Sequence, residues 1–186
     1  MREISDKIFL KSFCEKFCKI VEQHCKYIIV SGYLVIALGR SRGTQDIDMI
    51  IEKLDLKKFK NLHKDLVKNG FHCVQDEDSE EIYTSYLKEN TSVRYIYEKE
   101  LLPEMEIKFA KDILDHIQIE SRIKIPLTGV DVWFGSIEAN IAFKEDYLKS
   151  EKDLEDAKHL RLMFQNEINQ KEINRWKTLI KKVKMK

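Results

Sequence analysis

The chain has 186 residues, of which 43% are hydrophobic and 35% are charged, and its formal net charge at pH 7 is +1. This hydrophobic content suffices for one packed domain, or for a core with a small appendage. The balanced charge excludes a chain-wide positive field of the kind that attracts nucleic acid. No apolar run has the length of a membrane span, and the first residues are too polar for a secretory signal. We therefore expect a cytoplasmic protein that does not associate with membranes.

Hydrophobic periodicity predicts a mixed region of helices and strands followed by helices alone. The predicted helices are 4–26, 33–38, 56–68, 136–149, 152–164 and 170–182, and the predicted strands are 27–30, 45–52, 71–74, 92–97, 105–109, 117–119, 123–127 and 130–134. Thr128 and Gly129 would join the last two strands in a hairpin. This order predicts an α+β fold. Residues 1–135 would form a mixed sheet with flanking helices, and residues 136–186 would form a helical C-terminal region.

Three of the four cysteines fall in the N-terminal helical pattern. Cys14 and Cys18 are one helical turn apart, and His24 and Cys25 follow closely, so a metal site is conceivable. Structural zinc sites usually show tighter cysteine spacing, however, and free cysteine is among the most buried residue types. We expect these cysteines to pack in the core.

A small-residue turn followed by two alternating aspartates is the most informative functional pattern. The first predicted strand ends at Ser31 and Gly32, and Asp46 and Asp48 open the second. Residues i and i+2 of a strand point to the same face, so the two carboxylates would lie side by side. Mg²⁺ typically binds one or two carboxylates together with substrate phosphates. The alternative is a solvated edge strand with two surface acids.

The pattern resembles the signature of the nucleotidyltransferase superfamily, in which a strand ends in Gly-Gly or Gly-Ser and a hydrophobic-Asp-hydrophobic-Asp strand follows. The segment from Arg42 to Asp48 is similar to the small branch that includes the AbiEii-like toxins and the minimal nucleotidyltransferases. The chain departs from that signature in its order Ser31-Gly32. The resemblance implies a nucleotidyltransferase-like mixed sheet, Mg²⁺ or Mn²⁺ as the cofactor, and a nucleoside triphosphate as a substrate.

Members of this superfamily that resemble polymerases supply a third acid from a neighbouring strand. The segment 104–109 alternates charged and apolar residues, with Glu104, Glu106 and Lys108 on one face. The resemblance implies Glu106 as the third acid, and Glu104 is the alternative. A charged strand face that is simply exposed explains the alternation nearly as well.

The helical region carries a second resemblance to the AbiEii-like group, which has an Ile-Ala-x-Lys element on one helix and Asp-x-x-Asp on a later one. Lys144 and the pair Asp153 and Asp156 match these elements. The spacing of Lys144 from Ile141 independently places the lysine on the apolar stripe of its helix. A lysine there has to extend to solvent or meet an anion. Asp153 also fits a capping box, so Asp156 is the better candidate for the cleft.

The resemblance as a whole implies transfer of a nucleotidyl group from a nucleoside triphosphate to a hydroxyl of RNA, protein or a small molecule. It implies Asp46, Asp48 and Glu106 as catalytic residues and metal ligands, and it implies nucleotide binding by Ser31, Gly32, Arg42, Thr44, Lys144 and Asp156. The alternative is a nucleotide-binding or regulatory module with little or no turnover, for instance one half of a toxin–antitoxin pair. The basic segment 174–186 would bind RNA or an acidic partner, or it would form a solvated last helix. The nucleotide, the acceptor and the oligomeric state stay open.

Overall fold

The computed structural model describes residues 2–42, 46–98 and 102–185, with side chains described from Ile8 onward. The fold is α+β. Its strands are β1 (Tyr27–Val30), β2 (Ile47–Ile51), β3 (Phe71–Cys73), β4 (Val93–Tyr97) and β5 (Met105–Phe109). Its helices are α1 (Arg2–Val21), α2 (Tyr33–Ala37), α3 (Leu56–Lys68), α4 (Ser79–Glu81), α5 (Ile113–Glu120), α6 (Ile137–Ala142), α7 (Glu151–Met163) and α8 (Gln170–Lys184). Wider π-helical turns continue α4 over Ile82–Tyr86 and α6 over Phe143–Leu148, and short 3-10 turns occupy Leu87–Glu89 and Pro126–Thr128.

The five strands form one mixed sheet in the order β1-β2-β5-β4-β3. Strands β2 and β5 are parallel, and the other neighbouring pairs are antiparallel. In this register Asp48 of β2 lies beside Val30 of β1 on one side and Glu106 of β5 on the other. The sheet thus brings Asp48 next to the end of the first strand and next to a second acid.

The two faces of the sheet differ in how completely they are filled. Alternation along β2 sends Ile47, Met49 and Ile51 into the main hydrophobic core. It sends Asp48 and Ile50 to the opposite face, where Ile50 belongs to a small cluster with Ile28, Ala110 and Ile119 of α5. Asp48 therefore lies on the thinly covered face, where a cavity has room to form.

The helices that follow residue 136 pack onto the sheet region. Ile141 of α6, Leu160 of α7 and Trp176 of α8 belong to the same core cluster as the inward residues of β2. This confirms the predicted mixed sheet with a helical C-terminal segment. None of the helices among the described residues combines the length and the apolar character needed to cross a membrane.

The predicted burial of the N-terminal cysteines is confirmed for two of them. Cys14 and Cys18 are buried in α1 with their sulfur atoms 3.9 Å apart, and Cys25 is half-buried just beyond the helix.

The three strands predicted between residues 117 and 134 are wrong. Residues 117–119 belong to α5, whose N-cap Asp112 accepts hydrogen bonds from the backbone N–H groups of Leu114 and Asp115. In the two segments that follow, the described pairing consists of two isolated bridges at Phe134, one antiparallel with Ile123 and one parallel with Ile29 of β1. Pro126 lacks a backbone N–H and begins a 3-10 turn, so pairing cannot continue along this segment.

Candidate functional site

Ser31 and Gly32, in the turn after β1, differ in backbone conformation and in the side chains that they approach. Ser31 has φ +65°, in the left-handed region that glycine usually occupies, and its hydroxyl lies near enough to the Asp48 carboxylate to lower the pKa of that acid. Gly32 has an ordinary φ of −83°. A Cβ atom at Gly32 would overlap the Arg42 guanidinium, whose Cζ would lie 3.0 Å away. The reversed Ser-Gly order thus gives a hydroxyl to Asp48 and leaves space for Arg42.

Asp48 lies in an environment that disfavours its charge. Burial raises the pKa of its carboxyl above the ordinary value. The neighbouring Glu106 and Asp46 carboxylates raise the pKa further, whereas the Ser31 hydroxyl and the Lys108 ammonium lower it. Asp48 of β2 and Glu106 of β5 are register partners, so their side chains leave the same face of the sheet, whereas Asp46 precedes β2.

These acids fit a divalent cation in part. Among the described residues, no group of three or more His, Cys, Asp and Glu side chains is arranged to hold a metal ion. Mg²⁺ needs only one or two protein carboxylates when phosphates and water complete its shell, and the adjacent Asp48 and Glu106 satisfy that requirement. Glu104 instead forms an ion pair with Arg94 at 3.5 Å, which favours Glu106 over Glu104 as the second acid.

Lys144 is buried, as its position on the apolar stripe predicts. It lies in the π-helical turn that continues α6 and is only 1% exposed. Its ammonium donates to Asp156 Oδ2 at 2.7 Å and lies 3.8 Å from Asp153 Oδ1. Ser150 caps α7 by accepting from the backbone N–H of Asp153, and the Ser150 hydroxyl hydrogen-bonds with the Asp153 carboxylate, so both residues lie at the start of α7 as the capping pattern predicts.

Asp156 is fully buried and forms ion pairs with three cationic side chains. Besides Lys144, it forms ion pairs with Arg40 and, at 3.1 Å, with Arg42 Nη1. Arg40 also pairs with Glu155. We call these residues the Asp156 cluster: Arg40, Arg42, Lys144, Glu155 and Asp156. The cluster connects the loop before β2 to α7, and Arg42 and Lys144 are paired with a carboxylate rather than directed at an open surface.

A cavity of about 220 Å³ lies between the thinly covered face of the sheet, α5 and the π-helical turn after α6. Its lining residues are Val30, Ser31, Asp48, Ile50, Lys108, Lys111, Asp112, Asp115, Gln118, Asn140, Phe143, Lys144, Tyr147 and Leu148. Of the predicted site residues that the structure describes, Ser31, Asp48 and Lys144 line this cavity. The other described candidates are not among its lining residues, and they are Gly32, Arg42, Asp46, Glu106 and Asp156. Thr44 lies outside the described residues.

The polar residues that α5 contributes were not predicted from the sequence. Asp115 and Gln118 are three positions apart on a helix and share its inward face, but a strand prediction over 117–119 separated them. The usable signal was Asp112, an acid placed to cap a helix. Arg40 was also missed, because nothing local in the sequence links it to Asp156. Known protein families offer no match to this chain, and neither do the curated proteins searched.

Proposed function

We propose that this protein is a metal-dependent nucleotidyltransferase that moves a nucleotidyl group from a nucleoside triphosphate to a hydroxyl acceptor on RNA, protein or a small molecule. One observation carries the proposal. Ser31 from the turn, Asp48 from the sheet and Lys144 from the helical segment line a single cavity, although they are far apart in the sequence. A hydroxyl, an acid and an ammonium around one space are the groups that phosphoryl chemistry uses for positioning and charge neutralisation.

In this proposal Asp48 and Glu106, supported by Asp46, would hold Mg²⁺ or Mn²⁺. When bound, the metal would polarise the α-phosphate and lower the pKa of the acceptor hydroxyl. The alternation of β2 directs Asp48 to the cavity side of the sheet, and Ser31 lines the same cavity. The backbone alternates from left-handed Ser31 to right-handed Gly32, a geometry that makes concavities of main-chain N–H groups for anions. Phosphate oxygens are the expected occupants of that concavity.

Arg42 and Lys144 would supply the positive charge for the triphosphate. Both already share Asp156, so the cluster holds their side chains in place before a nucleotide arrives. Lys144 lines the cavity with the part of its side chain that is not enclosed. On binding, a phosphate oxygen would take the place of Asp156 as the partner of one of these two cations. The charge-assisted hydrogen bond to the triphosphate would offset the free energy lost with the contact to Asp156.

A second candidate is a nucleotide-binding or regulatory module with little or no turnover, for instance half of a toxin–antitoxin pair. Two observations favour it. The described residues offer no ready group of three acids for a metal, and Arg42 and Lys144 are both engaged by Asp156.

Thermal unfolding of wild-type protein and of Asp48→Asn distinguishes the two candidates. A ligand that binds only the native state stabilises it by about 2.7 kcal/mol at a hundred times its dissociation constant. If the protein is an enzyme, we expect a nucleoside triphosphate to stabilise it only when Mg²⁺ is present, and we expect pyrophosphate to be released. Asp48→Asn should abolish this stabilisation. Asp131→Asn, an exposed acid paired with Lys124, is the matched control. Metal-independent stabilisation without pyrophosphate release supports the module, and no stabilisation by any triphosphate refutes both.

A further inference from the structure

Gln118 is a mostly buried amide on the wall of the cavity. It projects from α5 toward the cavity and is only 4% exposed. Its side chain makes no hydrogen bond with the part of the chain that the structure describes. Its polar atoms are not fully enclosed, unlike Tyr27 Oη and Arg122 Nε, which are buried without a hydrogen-bond partner among the described residues. The Gln118 amide therefore keeps access to the cavity, where a ligand could hydrogen-bond with it.

Two further acceptors border the same cavity. Asn140 is 7% exposed, and its Nδ2 donates to the carbonyl oxygens of Gly135 and Ser136, both at 3.0 Å. Its Oδ1 accepts no hydrogen bond from the described residues and is available. Asp115 is 5% exposed and accepts one bond, from the backbone N–H of Lys111 at 3.0 Å. A carboxylate has lone pairs for more than one donor.

Part of the cavity wall suits a flat ring, although Ser31, Asp48 and Lys144 line the cavity as well. Phe143 and Tyr147 line it with their ring centroids 5.4 Å apart, and Val30 and Ile50 contribute aliphatic surface. The volume of about 220 Å³ is below the roughly 300–1,000 Å³ usual for small-molecule pockets. One ring system would therefore fill most of the space, and the phosphates of the same nucleotide would extend out of it past Asp48 and Lys144.

We propose that Asp115, Gln118 and Asn140 form a subsite for the nucleotide base, and that this subsite prefers bases with an exocyclic amino group over uracil. The proposal rests on the proposed function, since it assigns part of the same cavity. Asp115 and Asn140 Oδ1 can only accept hydrogen bonds, whereas the Gln118 amide can both donate and accept. Adenine, cytosine and guanine carry an amino group beside ring acceptors. Uracil has a single N–H and would leave one of the buried acceptors unpaired.

The test measures dissociation constants by titration calorimetry for ATP, CTP, GTP and UTP with the full chain and Mg²⁺. At least one amino-bearing triphosphate should bind about tenfold tighter than UTP, the ratio that one unmatched hydrogen bond produces. Gln118→Leu should weaken that nucleotide about tenfold and leave the affinity for inorganic triphosphate unchanged. Gln165→Leu, at an exposed position, is the control. Because the Gln118 amide makes no hydrogen bond to the described part of the chain, the melting temperature of Gln118→Leu should stay close to that of wild type, which separates lost recognition from lost folding.

The outcomes separate the base subsite from the proposed function. Equal affinity for the four triphosphates, or no effect of Gln118→Leu, overturns the subsite and leaves nucleotidyl transfer standing. Binding of adenosine, cytidine or guanosine without metal, weakened by Gln118→Leu while no triphosphate is turned over, supports the subsite and refutes the enzyme. If neither nucleosides nor triphosphates bind, both are refuted. The comparison of four nucleotides on the wild-type chain needs no variant, so it decides the preference even if Gln118→Leu does not fold.

Discussion

The contacts of the Asp156 cluster predict that replacing Asp156 costs more stability than replacing Lys144, although the two side chains form one ion pair. Lys144→Met leaves Asp156 with Arg40 and with Arg42 Nη1 at 3.1 Å, so we expect a loss of about 1.5–3 kcal/mol, the value of a hydrogen bond to a charged group. Asp156→Asn removes the one carboxylate that all three cations share. Lys144, whose side chain is 2% exposed, then keeps only Asp153 at 3.8 Å. We expect a loss of about 3–5 kcal/mol, typical of an uncompensated buried charge.

Urea unfolding at neutral pH measures this difference. With a slope of about 1–3 kcal/mol per molar urea, the midpoint of Asp156→Asn should lie roughly 1 M below that of Lys144→Met. Asp131→Asn breaks a surface pair with Lys124 in which the carboxylate is 78% exposed, and it should leave the midpoint nearly unchanged. Equal losses for the two cluster variants, or a larger loss for Lys144→Met, would refute the view that Asp156 is the common partner of the three cations.

Two further predictions concern the turn and the first acid. Folding raises the pKa of Asp48 above its ordinary value of 3.8. Between these two pKa values the native state binds more protons than the unfolded state. The free energy of unfolding therefore falls as the pH rises through this interval. Asp48→Asn should therefore match wild type in acid and exceed it in free energy of unfolding near neutral pH, measured by urea titration across about pH 4 to 8; an equal effect at every pH contradicts this. Gly32→Ala places a methyl group against Arg42 and should cost about 1–3 kcal/mol, whereas Gly39→Ala, at a position with open space but a φ of +91°, should lose stability through backbone strain alone. A Gly32→Ala variant as stable as wild type would show that Arg42 moves aside freely.

Local patterns predicted much of the fold because they depend on short periods. The apolar stripe through Ile141 and Leu148 correctly placed Lys144 inside the protein, and the alternation around Asp48 gave its strand. The prediction failed at α5, where a short apolar run is compatible with either a strand or a buried helix. The convergence of Arg40 on Asp156 could not be predicted, because partners 116 positions apart leave no mark on local spacing. The same holds for the unpaired amide of Gln118, which depends on how α5 and α6 meet.

Because the residues of the Asp156 cluster are far apart in the sequence, they also emerge from the ribosome at different times. During synthesis, Arg40 and Arg42 emerge long before the α7 segment that carries Asp156, so the loop ahead of β2 has no buried counter-charge while the sheet is being made. Lys144 also emerges before α7, so it lacks its buried counter-charge for the same reason. A chain that ends before α7 therefore presents three cations without their shared carboxylate, and we expect it to be the form most prone to capture by chaperones or by polyanions such as ribosomal RNA.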